Sequence, residues 1–391
     1  MLSEMSGFQV PRGPVAHFGP GAASQLLRIV RQAGADAVLI VTDAALARTP
    51  VIPAVVAPLE TADIPVSVFD GVHPNPTTDD IAAGAGAVRA LGGRGKVAVV
   101  AVGGGSPIDA AKGIALAAVN PQRGRQLDYR SDFAVPALPL IAIPTTAGTG
   151  AETNAFGVVT DPARHRKFYV GHHTAMPVAA ILDPSLTLGL PPAGTAATGM
   201  DALTHATESY LSVRPNPYSA GVALQVIRMV ARYLPAAVAD GGDVEARSQM
   251  LLAAHMAGLA MAGTGLGIVH AIGHSLGGRW NIAHGVTLTM VIPDCLRFSL
   301  PARPGQLADI AFALGAGDTS ATQARNAEAA IEEITSLRAM LGMTTHLGDY
   351  GISEADYPLI AADALDDEVL ANTPRPPTAD DITRILAAST V

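Results

Sequence analysis

Short β-branched runs alternate with alanine-rich stretches through the first half of the chain. The alanine-rich stretches, such as DDIAAGAGAVRAL, are typical of helices. The strand-like runs are AVLIVT at 37 to 42, PVSVF at 65 to 69, KVAVVAV at 96 to 102 and LPLIAIP at 138 to 144. Alternation of this kind indicates βαβ units, in which helices cover both faces of a mostly parallel sheet.

The pattern changes after ILDPSLTLGLPP. From there strand-like runs nearly vanish, and Ala, Leu and Met recur at helical spacing to the end of the chain. A chain of 391 residues is long for a single hydrophobic core. We therefore predict a Rossmann-like, dinucleotide-binding α/β domain over residues 1–190 and an all-α domain over residues 191–391. Thr378, within the proline-rich TPRPPTADD segment at 373 to 381, is predicted to cap the last helix.

One segment of the second half is unusually apolar. From Ser248 to Gly278 the chain has no Asp, Glu, Lys or Arg, a stretch longer than the roughly 20 apolar residues that can span a bilayer. The same stretch contains His255, His270 and His274, whose side chains would be costly against lipid. We therefore expect buried helices around a site rather than a membrane span.

Composition and charge narrow the classes of function. A formal net charge of −9 argues against a nucleic-acid partner, because little basic charge is available to neutralise phosphates. The single cysteine, Cys295, excludes an intrachain disulfide and a cysteine-rich zinc site. Any metal must then be held by nitrogen and oxygen. The N-terminal MLSEMSGFQVPRG has neither a cationic start nor a continuous apolar run, so a cytoplasmic location is expected.

The motif GGGSPIDAAK follows the strand-like run KVAVVAV. Glycines at 103 to 105 allow a ligand to approach the backbone, and Pro107 suits the first turn of a helix whose free N–H groups attract phosphate. The motif predicts a pyrophosphate cradle, although a tight turn without a ligand is the alternative. It is not a GxGxxG fingerprint. Asp43, at the end of an earlier strand, could accept hydrogen bonds from both ribose hydroxyls and would repel a 2′-phosphate, which favours NAD over NADP.

A second loop, PTTAGTGAE, follows another predicted strand. Hydroxyls and glycines at the carboxyl end of a parallel strand face the crevice in which ligands of such sheets bind. Thr145, Thr146 and Thr149 are candidates for phosphate or nicotinamide contacts. The alternative is a threonine-rich capping turn.

The second half carries a carboxylate and several imidazoles at regular spacing. Asp201 and His205 are four residues apart in GMDALTH and so share one helical face, while His270 and His284 come from VHAIGH and AHG. One carboxylate and three imidazoles suit Fe(II) or Zn(II). Each histidine alone is more often a buried structural residue. Four such groups in otherwise apolar helices favour a metal site, because burying them requires compensation.

Taken in order, these motifs resemble the iron-containing, or group III, alcohol dehydrogenases, a family that includes lactaldehyde reductase and maleylacetate reductase. The resemblance runs from FGPG near Phe18, through HPNPT, ILDPSLT and GMDALTHATESY, to NTPR at 372 to 375. It implies an NAD(P) cofactor bound between the two domains, a small-molecule alcohol, aldehyde or ketone substrate, and a homodimer. It also implies that the metal ligands are Asp201, His205, His270 and His284.

The resemblance extends the candidate sites. His274 is expected near the substrate, where it would relay a proton. Residues assigned to the cofactor are Asp43, Asn75, Gly103, Gly104, Gly105, Ser106, Asp109, Thr145, Thr146, Thr149 and Lys167, the last with an ordinary surface lysine as the alternative. Residues assigned to the substrate pocket are Phe156, Met261 and Gly263. Where many members carry AFxNAxLG this chain has AMAGTGLG, which predicts a roomier pocket, although Met261 could instead be plain helix-packing core.

The predicted reaction is reversible hydride transfer between nicotinamide and an alcohol or carbonyl carbon, with the metal as Lewis acid. Maleylacetate reductase and hydroxyacid–oxoacid transhydrogenase are alternatives within the oxidoreductases. A lyase similar to dehydroquinate synthase would need several basic residues in the helical domain, where Arg279 is the main candidate near the metal. A non-catalytic metal or nucleotide sensor would have lost part of the motif set. The exact substrate and the choice between iron and zinc stay open.

Overall fold

Six strands of the first half form one parallel sheet, which confirms the predicted α/β fold. The computed structural model of the chain describes residues 8, 10, 12–92, 96–123, 126–163, 166–214 and 216–390. The strands lie in the order β1 (Val15–Phe18), β8 (Ala179–Leu182), β5 (Leu140–Pro144), β4 (Val97–Gly103), β2 (Ala37–Asp43) and β3 (Val66–Val72). A separate antiparallel hairpin consists of β6 (Phe156–Asp161) and β7 (Arg166–Gly171).

Helices cover both faces of this sheet. They are α1 (Leu26–Gln32), α2 (Val51–Thr61), α3 (Thr78–Leu91) and α4 (Gly105–Ala117). Alternate residues of each strand point to opposite faces. Leu39 and Val99 therefore join one apolar core with residues of α3 and α4, while Ile40 and Val100 join another with residues of α1 and α2. The near-continuous apolar runs of the sequence follow from this double burial.

The strand order changes direction at β2. Its neighbours are β3 on one side and β4 on the other, so the chain leaves β2 in one direction and returns to its opposite edge. Ligands of open parallel sheets bind outside the carboxyl ends of the strands at such a switch point. Val41 pairs with Ala101, so Asp43 and Gly103, each two residues further along, end neighbouring strands at this point.

The chain divides into two compact units, one of Gly13–Leu190 and one that begins at Pro191. The described residues from Pro191 onward form helices and loops, as predicted for an all-α domain. These helices are α5 (Pro192–Leu211), α6 (Pro217–Ala239), α7 (Val244–Thr264), α8 (Ile268–Trp280), α9 (His284–Ser299), α10 (Pro304–Leu314), α11 (Gln323–Met340), α12 (Tyr357–Asp366) and α13 (Ala379–Ala388). Thr378 caps α13 by accepting from the N–H of Asp381, which confirms its predicted role.

The charge-free run of the sequence is divided between α7 and α8. The two helices meet at an angle of 109° across the break. Gly265 in this break has φ +72°, and a Cβ there would lie 2.4 Å from the Asn372 side chain, so both conformation and space require glycine. His255 and His270 are buried within the helical unit. Among the described helices, α6 is long and apolar enough to cross a membrane by length and composition alone, with 39% of its most apolar window buried, and the bent pair of α7 and α8 passes the same test if it is taken as one span.

Candidate metal and cofactor sites

Three helices bring the four predicted metal ligands together. Asp201 and His205 lie one turn apart on α5, His270 lies in the first turn of α8, and His284 begins α9. Asp201 Oδ1 lies 3.4 Å, 3.7 Å and 3.6 Å from the Nε2 atoms of His205, His270 and His284, respectively. Two ligands on bonds of about 2.1 Å at a tetrahedral angle lie about 3.4 Å apart. The four side chains therefore fit one divalent ion.

Burial closes this site on most sides. The side chains of Asp201, His205 and His270 are 5% exposed or less, whereas that of His284 is 32% exposed. Structural metal sites are closed, while catalytic ones keep a position for water or substrate. The exposed fraction of His284 indicates that the site opens on the α9 side.

Two ligand atoms lack a hydrogen-bond partner among the described residues. Asp201 Oδ1 and His270 Nε2 are both buried, and neither makes a hydrogen bond. A buried polar atom without a partner is costly, so native structures retain such atoms mainly where a ligand supplies the partner. The positions of these atoms fit a cation between them.

Charge within the cluster is strongly coupled in the metal-free protein. Burial would raise the pKa of Asp201, but the three surrounding imidazoles hold it well below its usual range. Burial would lower the pKa of His270, but the neighbouring carboxylates of Glu208 and Asp201 raise it to about 9. The cluster therefore favours an ionised carboxylate beside a protonated imidazole until a cation displaces the proton.

Glu208 orients the ligand His270. Its Oε2 lies 2.5 Å from His270 Nδ1, and its Oε1 accepts from the backbone N–H of Val269 at 2.7 Å. A carboxylate on the second ring nitrogen fixes the tautomer of a metal-binding histidine. Glu208 was not among the residues predicted from the sequence. Its spacing of seven from Asp201 and three from His205 in GMDALTHATESY placed it on the same helical face and was the available signal.

His274 has a carboxylate partner of its own. Its Nδ1 lies 2.7 Å from Asp367 Oδ2, and its ring stacks on that of His284 with centroids 5.6 Å apart. Donation from Nδ1 leaves Nε2 of a neutral imidazole as the acceptor. Asp367 was also missed, because 93 residues separate it from His274 and no spacing links the two.

The substrate-pocket candidates occupy different elements. Met261 and Gly263 lie in the last turn of α7, just before the break between α7 and α8. Met261 is 8% exposed. Phe156 begins β6 in the first unit and is 39% exposed. Their assignment to a pocket stays a prediction.

The glycine motif and the threonine loop pack closely at the ends of β4 and β5. A Cβ at Gly104 would lie 3.2 Å from Thr146, and one at Gly105 would lie 2.9 Å from Thr149. Gly103 has φ +152°, and a Cβ there would lie 2.5 Å from the Pro107 ring. At Gly103 both the backbone conformation and the space therefore require glycine.

The first turn of α4 is open for an anion. The helix begins at Gly105 and has neither a side-chain cap at Gly104 nor an acidic residue in its first turn, which contains Ser106. Its first N–H groups and its positive dipole end are therefore available to a phosphate group. This geometry fits the pyrophosphate of a dinucleotide.

The remaining cofactor candidates lie in the same unit. Asp43 Oδ1 accepts from the N–H groups of Ala45 and Leu46, both at 2.9 Å, which fixes the carboxylate at the end of β2. Lys167 on β7 donates to Asn75 Oδ1 at 2.9 Å. Asn75 itself has φ +56°. The structure thus brings Lys167 and the HPNPT loop together.

Asp109 is engaged within the fold. Its Oδ2 accepts from the N–H of Val158 at 3.0 Å, and its Oδ1 lies 3.4 Å from Lys112 Nζ. Burial raises its pKa, while Lys112 opposes that change. Cofactor contact by Asp109, like that of the other assigned residues, stays a prediction.

Comparison with known proteins covers nearly the whole chain. Residues 14–184 match the iron-containing alcohol dehydrogenase family, and residues 195–390 match the family described as Fe-containing alcohol dehydrogenase, C-terminal. The chain is 37% identical to the NAD-dependent methanol dehydrogenase of Bacillus methanolicus, over 98% of this chain and 99% of that protein. It is 36% identical to the lactaldehyde reductase of Escherichia coli K12, over 95% and 96% of the two chains.

A solved structure shows the same fold. The crystal structure of a 1,3-propanediol oxidoreductase superposes with a TM-score of 0.94 at 37% identity, covering 98% of this chain and 100% of the other.

Proposed function

This chain belongs to the iron-containing alcohol dehydrogenase family, and we propose that it catalyses reversible, NAD(H)-linked hydride transfer between nicotinamide and an alcohol or carbonyl carbon. The observation that carries the proposal is the buried cluster of Asp201, His205, His270 and His284, whose ligand atoms lie within 4.8 Å of one another. When bound, the divalent metal supplies Lewis acidity toward the substrate oxygen, and the nicotinamide accepts or supplies the hydride.

The protein contributes a proton acceptor near the metal. His274 donates a hydrogen bond from Nδ1 to Asp367. Its Nε2 can therefore take the proton released by an alcohol and return it in the reverse reaction. Glu208 holds His270 in the tautomer whose Nε2 binds the metal. A carboxylate thus fixes the tautomer and orientation of each imidazole before substrate binds.

The first unit would hold the dinucleotide. The uncapped start of α4 suits the pyrophosphate, and Asp43 at the switch point suits the ribose hydroxyls. A carboxylate there would repel the 2′-phosphate of NADP, so we propose NAD as the cofactor. The name of the related methanol dehydrogenase supports that choice.

The pairing of Arg279 with Asp363 favours a neutral substrate. Arg279, the basic residue that an anionic substrate would use, is bound through Nε and Nη2 by Asp363, which also accepts from Ser275. Maleylacetate reductase, the transhydrogenase and the lyase similar to dehydroquinate synthase all require recognition of an anion. We therefore propose small neutral alcohols, aldehydes and ketones as substrates.

The deciding experiment pairs metal analysis with turnover. The purified protein should oxidise NADH with a panel of small aldehydes and contain about one iron or zinc per chain. His270→Ala should lose both metal and turnover. His255→Ala is the matched control, because His255 is also buried in the helical unit but lies outside the cluster. Full activity of a metal-free sample would refute the proposal.

Three further points stay predictions. Size-exclusion chromatography tests the homodimer, cell fractionation tests the cytoplasmic location, and elemental analysis of protein from unsupplemented cells decides between iron and zinc.

A further inference from the structure

Lys112 is a buried cation that the proposed mechanism does not use. It lies on α4, and its side chain is fully buried. Its Nζ lies 2.7 Å from the carbonyl oxygen of Ala151, 2.9 Å from Asn154 Oδ1 and 2.5 Å from the carbonyl oxygen of Phe156. The first oxygen belongs to the threonine loop PTTAGTGAE, and the other two belong to the residues directly after it.

The three partners require the ammonium form. Carbonyl oxygens only accept hydrogen bonds, and Asn154 Oδ1 is identified as the acceptor because it also receives the N–H of Phe156. An ammonium has three N–H donors, one for each oxygen, whereas a neutral amine would direct its lone pair at one of them. Asp109 Oδ1 lies 3.4 Å from Lys112 Nζ and supplies an opposite charge that offsets the cost of burying the ammonium.

These bonds join two segments that form the phosphate cradle. Lys112 lies seven residues, or about two turns, after Gly105 at the start of α4. Ala151 lies two residues after Thr149. The Thr149 side chain packs closely against Gly105, because a Cβ added at Gly105 would lie 2.9 Å from it. A shift of the 145–156 segment would therefore change the spacing between the threonines and the first turn of α4.

We propose that Lys112 is a positioning residue for the dinucleotide. Its ammonium fixes the threonine loop against α4 and thereby sets the width of the pyrophosphate cradle, without contacting the cofactor. The inference rests on the proposed function, because it requires NAD(H) to bind at GGGSPID.

The test measures NADH binding rather than turnover. Lys112→Met keeps the length and apolar stem of the side chain but removes all three donors. We expect the Kd for NADH, followed by nicotinamide fluorescence, to rise about tenfold or more, because the cradle is no longer preorganised. Metal content should be unchanged, because the metal ligands belong to the helical unit.

A matched variant separates positioning from general destabilisation. Ile114→Ala removes a fully buried side chain of the same helix that packs in the sheet core and has no bond to the threonine loop. Ile114→Ala should lower Tm. At a temperature where both variants are folded, its Kd for NADH should equal that of the wild type. Equal Kd values for Lys112→Met and the wild type, or equal increases in both variants, would overturn the proposal.

A second variant keeps the test decisive if Lys112→Met does not fold. Asn154→Ala removes one of the three oxygens and should raise the Kd for NADH by a smaller factor; a wild-type Kd would then contradict the positioning role. If the wild-type protein itself binds no NADH, the proposed function fails first, and this result is distinguishable from failure of the variants alone.

Discussion

Replacing Glu208 with Gln should weaken metal binding although Glu208 contacts no metal. The carboxylate is buried and holds both the ligand His270 and the backbone N–H of Val269. An amide has one oxygen, so it can satisfy one of these donors and must present its own N–H groups to the other. A hydrogen bond that involves a charged group contributes about 1.5–3 kcal/mol. Loss of one such bond corresponds to about a tenfold to hundredfold drop in metal affinity, the range typical of outer carboxylates.

The assay is competition for Zn(II) between the protein and a chromophoric chelator. It should be run near pH 9, because Glu208 also helps to hold a proton on His270, whose pKa is raised to about 9 in the metal-free protein. Near that pH the competition from the proton is small. Glu245→Gln is the control, because it removes the same charge at the exposed start of α7. There Glu245 accepts a hydrogen bond from Gln249. Equal affinities for Glu208→Gln and wild type would refute the reasoning.

Three further outcomes are expected. Apparent metal affinity should fall about tenfold per pH unit below pH 9, because metal binding must displace the His270 proton; chelator competition between about pH 6 and 8 measures the slope, and a flat profile contradicts it. Asp43→Gly should improve kcat/KM for NADPH relative to NADH, whereas wild-type preference for NADPH would exclude the ribose placement. Met261→Phe should reduce kcat/KM for long aldehydes but not short ones by up to ~1–3 kcal/mol, and equal effects at all lengths would argue for simple core packing.

The sequence predicts elements whose pattern is local. The strands β2, β4 and β5 are apolar because both their faces are covered, and this double burial is visible as continuous β-branched runs. β1 and β8 escaped notice, because each has only four residues and β1 is largely exposed. The hairpin β6–β7 carries partly exposed residues and charges, which weaken the same signal.

The site shows the same division between local and distant signals. Asp201 and His205 were predictable because one helical turn separates them. The partnership of Glu208 with Val269 depends on the 109° bend between α7 and α8, which directs the start of α8 toward α5. Asp367 reaches His274 across 93 residues, and Lys112 reaches Phe156 across 44. Such pairs follow from the packing of elements, which no spacing in the sequence encodes.

The buried Lys112 and the buried metal ligands differ in how the protein compensates for loss of water. Lys112 has an oxygen of the protein for each of its donors, so its burial is compensated within the fold. Asp201 Oδ1 and His270 Nε2 are equally buried, yet no described residue gives either a hydrogen bond. Because an uncompensated polar atom is costly, the difference separates a charge that stabilises the fold from ligand atoms that are kept for a cation. The metal site is therefore recognisable from the partners that its atoms lack as well as from the residues that compose it.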